Sequence, residues 1–139
     1  MIRLALLLIG LAAPAMAQQS NAARYLLGQE VANACNGAAG RISPGSLIER
    51  DLTGDGRDDL IIAHEGIRCS GGGSARSLEC GMQVCTTKIW VRQGDLLVEK
   101  AFFLGGGIAV AGGNPPAITG YAHGGKTWSM RWNGRSFAR

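Results

Sequence analysis

The sequence predicts an α+β fold that is mainly β: an N-terminal helix followed by a mostly antiparallel sheet of about six to eight short strands and hairpins. Three observations lead there. Glycine makes up 22 of 139 residues, well above the usual share of roughly 7%, which favours turns and short strands over long helices. Beyond Ile42 the pattern changes to short strands and turns, and runs such as Cys85 to Arg92 alternate with the period of a strand. Turn dipeptides such as Gln93-Gly94 and Asn133-Gly134 separate these runs at hairpin spacing. No internal repeat is visible.

Residues 1–17 read as a cleavable leader: Met1-Ile2-Arg3 is positive, Leu4 to Ala13 is an uncharged apolar run, and Ala15-Met16-Ala17 is a small-x-small cleavage pattern. The apolar run is about half of the roughly 20 residues needed to span a bilayer, and no later run is free of glycine and charge. The expected mature chain, residues 18–139, is therefore one domain that is periplasmic or secreted, with no membrane span.

Asn21 to Cys35 is the helix candidate, capped by Ser20 or Asn21, with Tyr25, Leu26, Val31 and Ala34 as its apolar stripe and Asn36-Gly37 as its stop. Ser46 to Asp51 and Asp59 to His64 then read as strands flanking an acidic loop, with Leu60-Ile61-Ile62 the most strand-like run. Ser70 to Glu79, with Gly71-Gly72-Gly73, reads as a mobile surface loop. Cys85 to Arg92 alternates and pairs with Asp95 to Leu104 across Gln93-Gly94. Gly105-Gly106-Gly107 is expected to break that strand, leaving Ile108 to Val110 and Ala117 to Tyr121 as further strands on either side of a Gly/Pro turn. Thr127 to Trp132 and Arg135 to Phe137 close the chain as a hairpin.

Cys35, Cys69, Cys80 and Cys85 form an even set in an exported chain, which reads as two disulfides. Of three pairings, the favoured one joins Cys35 to Cys69 and closes a small ring between Cys80 and Cys85. A zinc site fits the spacing poorly, and a thioredoxin-like site lacks its Cys-x-x-Cys. The net charge of +4 is scattered rather than clustered, and aromatic residues are few, which argues against a nucleic-acid partner.

The densest chemistry is Asp51-Leu52-Thr53-Gly54-Asp55-Gly56-Arg57-Asp58-Asp59, where four acids crowd an otherwise basic chain. Asp51, Thr53, Asp55 and Asp59 alternate so that their oxygens can turn inward. Arg57 can add its backbone carbonyl, and Gly56 permits the sharp bend. Calcium takes such hard oxygen ligands, so the expected site is Asp51, Thr53, Asp55, Arg57 and Asp59 around one Ca2+ with a structural role. The segment resembles the calcium loop of FG-GAP and VCBS-type repeats, Asp-x-Asn-x-Asp-Gly-x-x-Asp before a hydrophobic strand. Asp51, Asp55, Gly56 and Asp59 match that pattern, with Thr53 in place of Asn and a single copy in place of several. The resemblance implies a loop between two strands and covers about a dozen residues. An EF-hand would require Glu where Ile62 stands.

Gly120 to Thr127 satisfies the phosphate-loop pattern, but a strand rather than a helix follows it, so a glycine-rich turn is expected. His64, Glu65 and His123 are the residues a small secreted hydrolase would use. Ser70, Ser74 and Ser77 are imaginable nucleophiles, though no oxyanion motif accompanies them. Trp128 and Trp132 share a strand face, as core or as a ligand platform. The residues point to a non-enzymatic exported domain with a calcium loop and an unknown protein or glycan partner. The alternatives are the hydrolase, or an inhibitor or adhesion module presenting Ser70 to Glu79. The sequence does not set the oligomeric state.

Overall fold

A computed structural model describes residues 19–71 and 75–139. The leader assigned to residues 1–17 lies outside the described residues. Those described hold one α-helix, α1 (Asn21–Ala34), and nine strands: β1 (Gly40–Ile42), β2 (Leu47–Arg50), β3 (Asp59–Ala63), β4 (Ile67–Cys69), β5 (Cys85–Gln93), β6 (Leu96–Gly113), β7 (Pro116–Tyr121), β8 (Thr127–Trp132) and β9 (Phe137–Ala138). Seven strands form one antiparallel sheet in the order β2-β3-β5-β6-β7-β8-β9, and β1 pairs with β4 in a separate two-stranded sheet. The chain is thus mostly antiparallel sheet with one helix. None of its described helices is long and apolar enough to cross a membrane.

Ser20 starts the helix by accepting the Ala23 N–H at 3.1 Å, and Gly37 ends it in the left-handed region at φ 81° with its N–H on the Ala32 carbonyl. The buried face differs from the expected stripe. Ala23, Leu26, Leu27, Val31 and Ala34 pack against the sheet, Tyr25 is exposed, and Glu30 is buried. At 100° per residue, Tyr25 falls off the face that these three- and four-residue steps define, whereas Glu30 falls on it.

Strand β3 is buried along its whole length, and its successive side chains feed two cores. Leu60 and Ile62 point to the helix side, with Ile67 and Trp90. Ile61 and Ala63 point to the other, with Ile89, Ile108, Ile118, Trp128 and Met130. A strand covered on both faces needs a continuous apolar run, which is what Leu60-Ile61-Ile62 supplies. Each such side chain contributes about 1.5–3 kcal/mol when fully buried. Trp128 stacks edge-on against Phe103 at 5.1 Å within the second core, so it is packing and not half of a surface platform.

The Gly105–Gly107 segment bends β6 without ending it. The strand pairs with β5 up to Gly105 and with β7 from Gly106, with a register shift before Ala109. A Cβ on Gly106 would sit 2.4 Å from the Tyr121 ring, and Glu65 holds the bend by accepting the Gly107 and Ile108 amides at 2.9 and 3.1 Å. Small residues here permit close approach, and the backbone partners that a break would have freed are found in Glu65 and β7. Strands β1 and β4, which carry little alternating pattern, were not expected.

Both disulfides are present, as Cys35–Cys69 and Cys80–Cys85. They indicate an oxidising, non-cytoplasmic compartment. The first ties the end of α1 to β4 across a sequence separation of 34, against 5 for the second, so it constrains the unfolded chain more.

Candidate functional site

The acidic loop connects β2 to β3, with Gly54 and Gly56 both at φ 84°. Its aspartates have different surroundings. Asp51 is half-buried and accepts the loop's own amides: Thr53 at 3.1 Å and Gly54 at 2.7 Å on Oδ1, and Gly56 at 2.8 Å on Oδ2. Burial alone would raise its pKa, but the amides of Gly56, Gly54, Thr53 and Asp55 outweigh that and hold it below the ordinary carboxylate value. Asp59 is fully buried. It accepts Leu52 and Thr53 N–H on Oδ2 and Arg92 N–H on Oδ1, which links the loop to β5. Burial, only partly offset by the Arg92 and Leu52 amides and reinforced by the charge of Asp55, raises its pKa. Asp55 is exposed, accepting the Arg57 N–H at 2.9 Å and pairing with the Arg57 guanidinium at 3.3 Å. Asp58 is exposed, and its carbonyl accepts from Arg92. A cavity of about 310 Å³ beside the loop is lined by Thr53, Asp55, Arg57, Arg92 and Trp132 among others.

A second polar cluster lies under α1. His64 Nε2 is 2.8 Å from Glu30 Oε2, and His64 Nδ1 is 2.9 Å from Ser77 Oγ. Glu30 also receives Lys88 Nζ on both oxygens at 2.9 Å, and Glu79 Oε2 stands 3.9 Å from the His64 ring. A carboxylate only accepts, so Nε2 carries a proton, and Nδ1 then exchanges one hydrogen bond with the Ser77 hydroxyl. Burial pushes Glu30 up, but its bonds to His64 and Lys88 win and its pKa is lowered. Burial pushes Lys88 down, but Glu30 wins and its pKa is raised. The two shifts run in opposite directions and each favours the charged form, as for a true ion pair.

Ser77, His64 and Glu30 have the connectivity of a nucleophile, base and acid. Their surroundings suit a different task. Relative exposure is 3%, 0% and 6% respectively, so a substrate carbonyl has no room beside Oγ, which already accepts the Glu79 N–H. Among the described residues Glu30, His64 and Glu79 are also the one group of three such side chains with ligand atoms all within 4.8 Å of one another. Lys88, however, already supplies the cation for Glu30. The cluster reads as a buried polar network joining α1, β5, the turn after β3 and the segment before Cys80.

His64, Glu65 and His123 are not brought together as a hydrolase would need. His64 turns to Glu30 and Ser77, Glu65 to the β6 bend, and His123 lies exposed in the turn before β8. That turn leads into a strand, as the phosphate-loop objection required. The described flanks of the Gly71–Gly73 segment are anchored rather than loose: Cys69 N–H meets the Ala75 carbonyl, Ser70 bonds Ala39, and Leu78 N–H meets the Ala34 carbonyl. Glu30 and Lys88 carried no local signal. The one available hint was an acid on an otherwise apolar helix face. Comparisons with protein-family models, with curated proteins and with solved structures found no match.

Proposed function

We propose that the chain is an exported, non-enzymatic binding domain, periplasmic or secreted, whose Asp51–Asp59 loop is braced by a structural calcium ion. The observation that carries the metal reading is a strand-to-strand turn that holds one carboxylate, Asp51, on its own amides and carries a second, Asp55, exposed in the same turn. The donor set fits a hard cation, with carboxylates, the Thr53 hydroxyl and the Arg57 carbonyl. To reach a cation Asp55 has to leave the Arg57 amide and an exposed pair with the Arg57 guanidinium, the latter worth at most about 1 kcal/mol. Asp59, with three amides on it, serves mainly as the anchor of the turn. A bound cation would offset the repulsion between Asp51, Asp55 and Asp59, and calcium near 1 mM outside cells suffices for a weak site.

The binding-domain reading rests on the absence of an accessible nucleophile in the Ser77–His64–Glu30 network and on the two disulfides. Titration calorimetry of the mature chain with calcium chloride tests the metal claim. Saturable uptake at one site, reduced at least about tenfold in Asp55→Ala, is expected. No heat at millimolar calcium, or equal uptake in the variant, overturns it.

A further inference from the structure

Among the described residues, strand β1 has one strand beside it, β4. Its ladder with β4 is fixed by Ser70 N–H on the Ala39 carbonyl and Ser43 N–H on the Gly66 carbonyl. Antiparallel pairing alternates, so Gly40 and Ile42, opposite Cys69 and Ile67, occupy the non-hydrogen-bonded pairs. Their N–H and C=O groups therefore point away from β4. On the α1 side lies a groove of about 380 Å³ whose walls are Arg24, Leu27 and Val31 of α1 and Gly40, Arg41 and Ile42 of β1. Its walls come this close because residue 40 is glycine. A Cβ there would lie 2.9 Å from Val31 Cγ1 and 2.8 Å from Cys35 Sγ.

The charge around this groove is of one sign. Arg41 is exposed and stands directly opposite Arg68 in the β1–β4 ladder, a cross-strand pairing of like charges that costs stability. Arg24, also exposed, lines the groove from the helix and, among the described residues, bonds Asn21 within its own turn. Across β1 a second cavity of about 550 Å³ shares Gly40 and Arg41 and includes Arg68. No acidic residue is among those lining either cavity.

We infer that this groove binds an extended acidic peptide segment, which adds as a strand to the free edge of β1. Main-chain bonds to Gly40 and Ile42 would set its register, the apolar floor of Leu27, Val31 and Ile42 would take alternate side chains, and Arg24 and Arg41 would pair with its carboxylates. This extends the binding-domain reading to a partner class and makes no use of the aspartate loop. A probe that fails while calcium still binds rejects the groove alone.

The test is fluorescence anisotropy of a fluorescein-labelled Glu-Val-Glu-Val-Glu-Val peptide with the oxidised mature chain. Saturable binding is expected, weakened about tenfold or more by Arg41→Glu and by Arg24→Glu, while the Lys-Val counterpart does not bind. Because the arginines are exposed, unchanged thermal melts will show that the variants fold. Two N-methylated probes separate strand addition from charge alone: methyl groups on one alternate set of residues should abolish binding and on the other leave it intact. Absence of saturable binding overturns the proposal. So does equal binding of both methylated probes, or displacement by a polyuronate of peptide binding that ignores methylation.

Discussion

The chain holds two dense polar clusters, and they are built on opposite plans. The Asp51–Asp59 loop draws its charges from neighbouring residues and satisfies Asp51 and Asp55 with backbone amides of the same turn, near solvent. The network under α1 draws Glu30, His64, Ser77 and Lys88 from four separate segments and satisfies them with each other, with Glu30, His64 and Ser77 buried and Lys88 half-buried. In the first, amide dipoles and water stand in for a partner, so single acids can be lost cheaply. In the second, each charge exists in the folded chain only because another faces it. Only Asp59 crosses the two plans, since it is a loop residue that is wholly buried and reaches β5.

That contrast is broken most directly by Glu30→Ala. Removing the carboxylate leaves Lys88 without its ion-pair partner and the His64 Nε2–H without its close acceptor, a loss on the order of 3–5 kcal/mol. Urea unfolding of the mature oxidised chain measures it. A loss below about 1 kcal/mol would mean that the Lys88 side chain escapes to water and that the network is not compulsory. Next in size is Asp59→Ala, which strips the acceptor from the Leu52, Thr53 and Arg92 amides at once and should cost about 2–3 kcal/mol. Asp55→Ala in calcium-free buffer should stay within about 0.5 kcal/mol of the parent chain. Equal losses in these two loop variants would remove the distinction between anchor and ligand.

The same contrast explains what the sequence disclosed. The acidic loop, the Cys80–Cys85 ring, the helix cap and the hairpins at Gly94 and Gly134 are local, within a few residues or within the reach of a turn, and they were legible; Cys35–Cys69, 34 positions apart, was favoured among three pairings that the sequence left open. Leu60-Ile61-Ile62 read as a strand and is one, buried on both faces. The continuous β6 was missed because a run of three glycines ends a strand unless distant residues hold it, and Glu65 and Tyr121 do so here. The β1–β4 pair was missed because three residues carry no periodicity. The network was missed because its hydrogen-bonded pairs are 13 to 58 positions apart and meet only once β3, β5 and α1 are layered. Ser77 and His64 are each recognisable in the sequence as chemical groups. What sequence could not show was their burial, and burial decides between a catalyst and a structural staple.

The smallest effect separates the clusters by pH. Glu30 and Asp51 both have pKa values lowered from ordinary values of 4.5 and 3.8. The stability they contribute is therefore fully present above those values and is lost as pH falls below them. Lys88 is raised from 10.5, so its contribution is present below that value and is lost as pH climbs through the folded one. Asp59, raised from 3.8, acts in the opposite sense to Glu30 and Asp51 and flattens the acid limb. Stability should then form a plateau between about pH 5 and 10 with a fall on each side. Glu30→Gln removes its own acid titration and the main partner that raises Lys88, so both limbs become shallower. Asp51→Asn touches the acid limb alone. Urea midpoints across the range read this out. An alkaline limb that survives Glu30→Gln unchanged would assign that fall to other lysines or tyrosines and cut Lys88 out of the network's energetics.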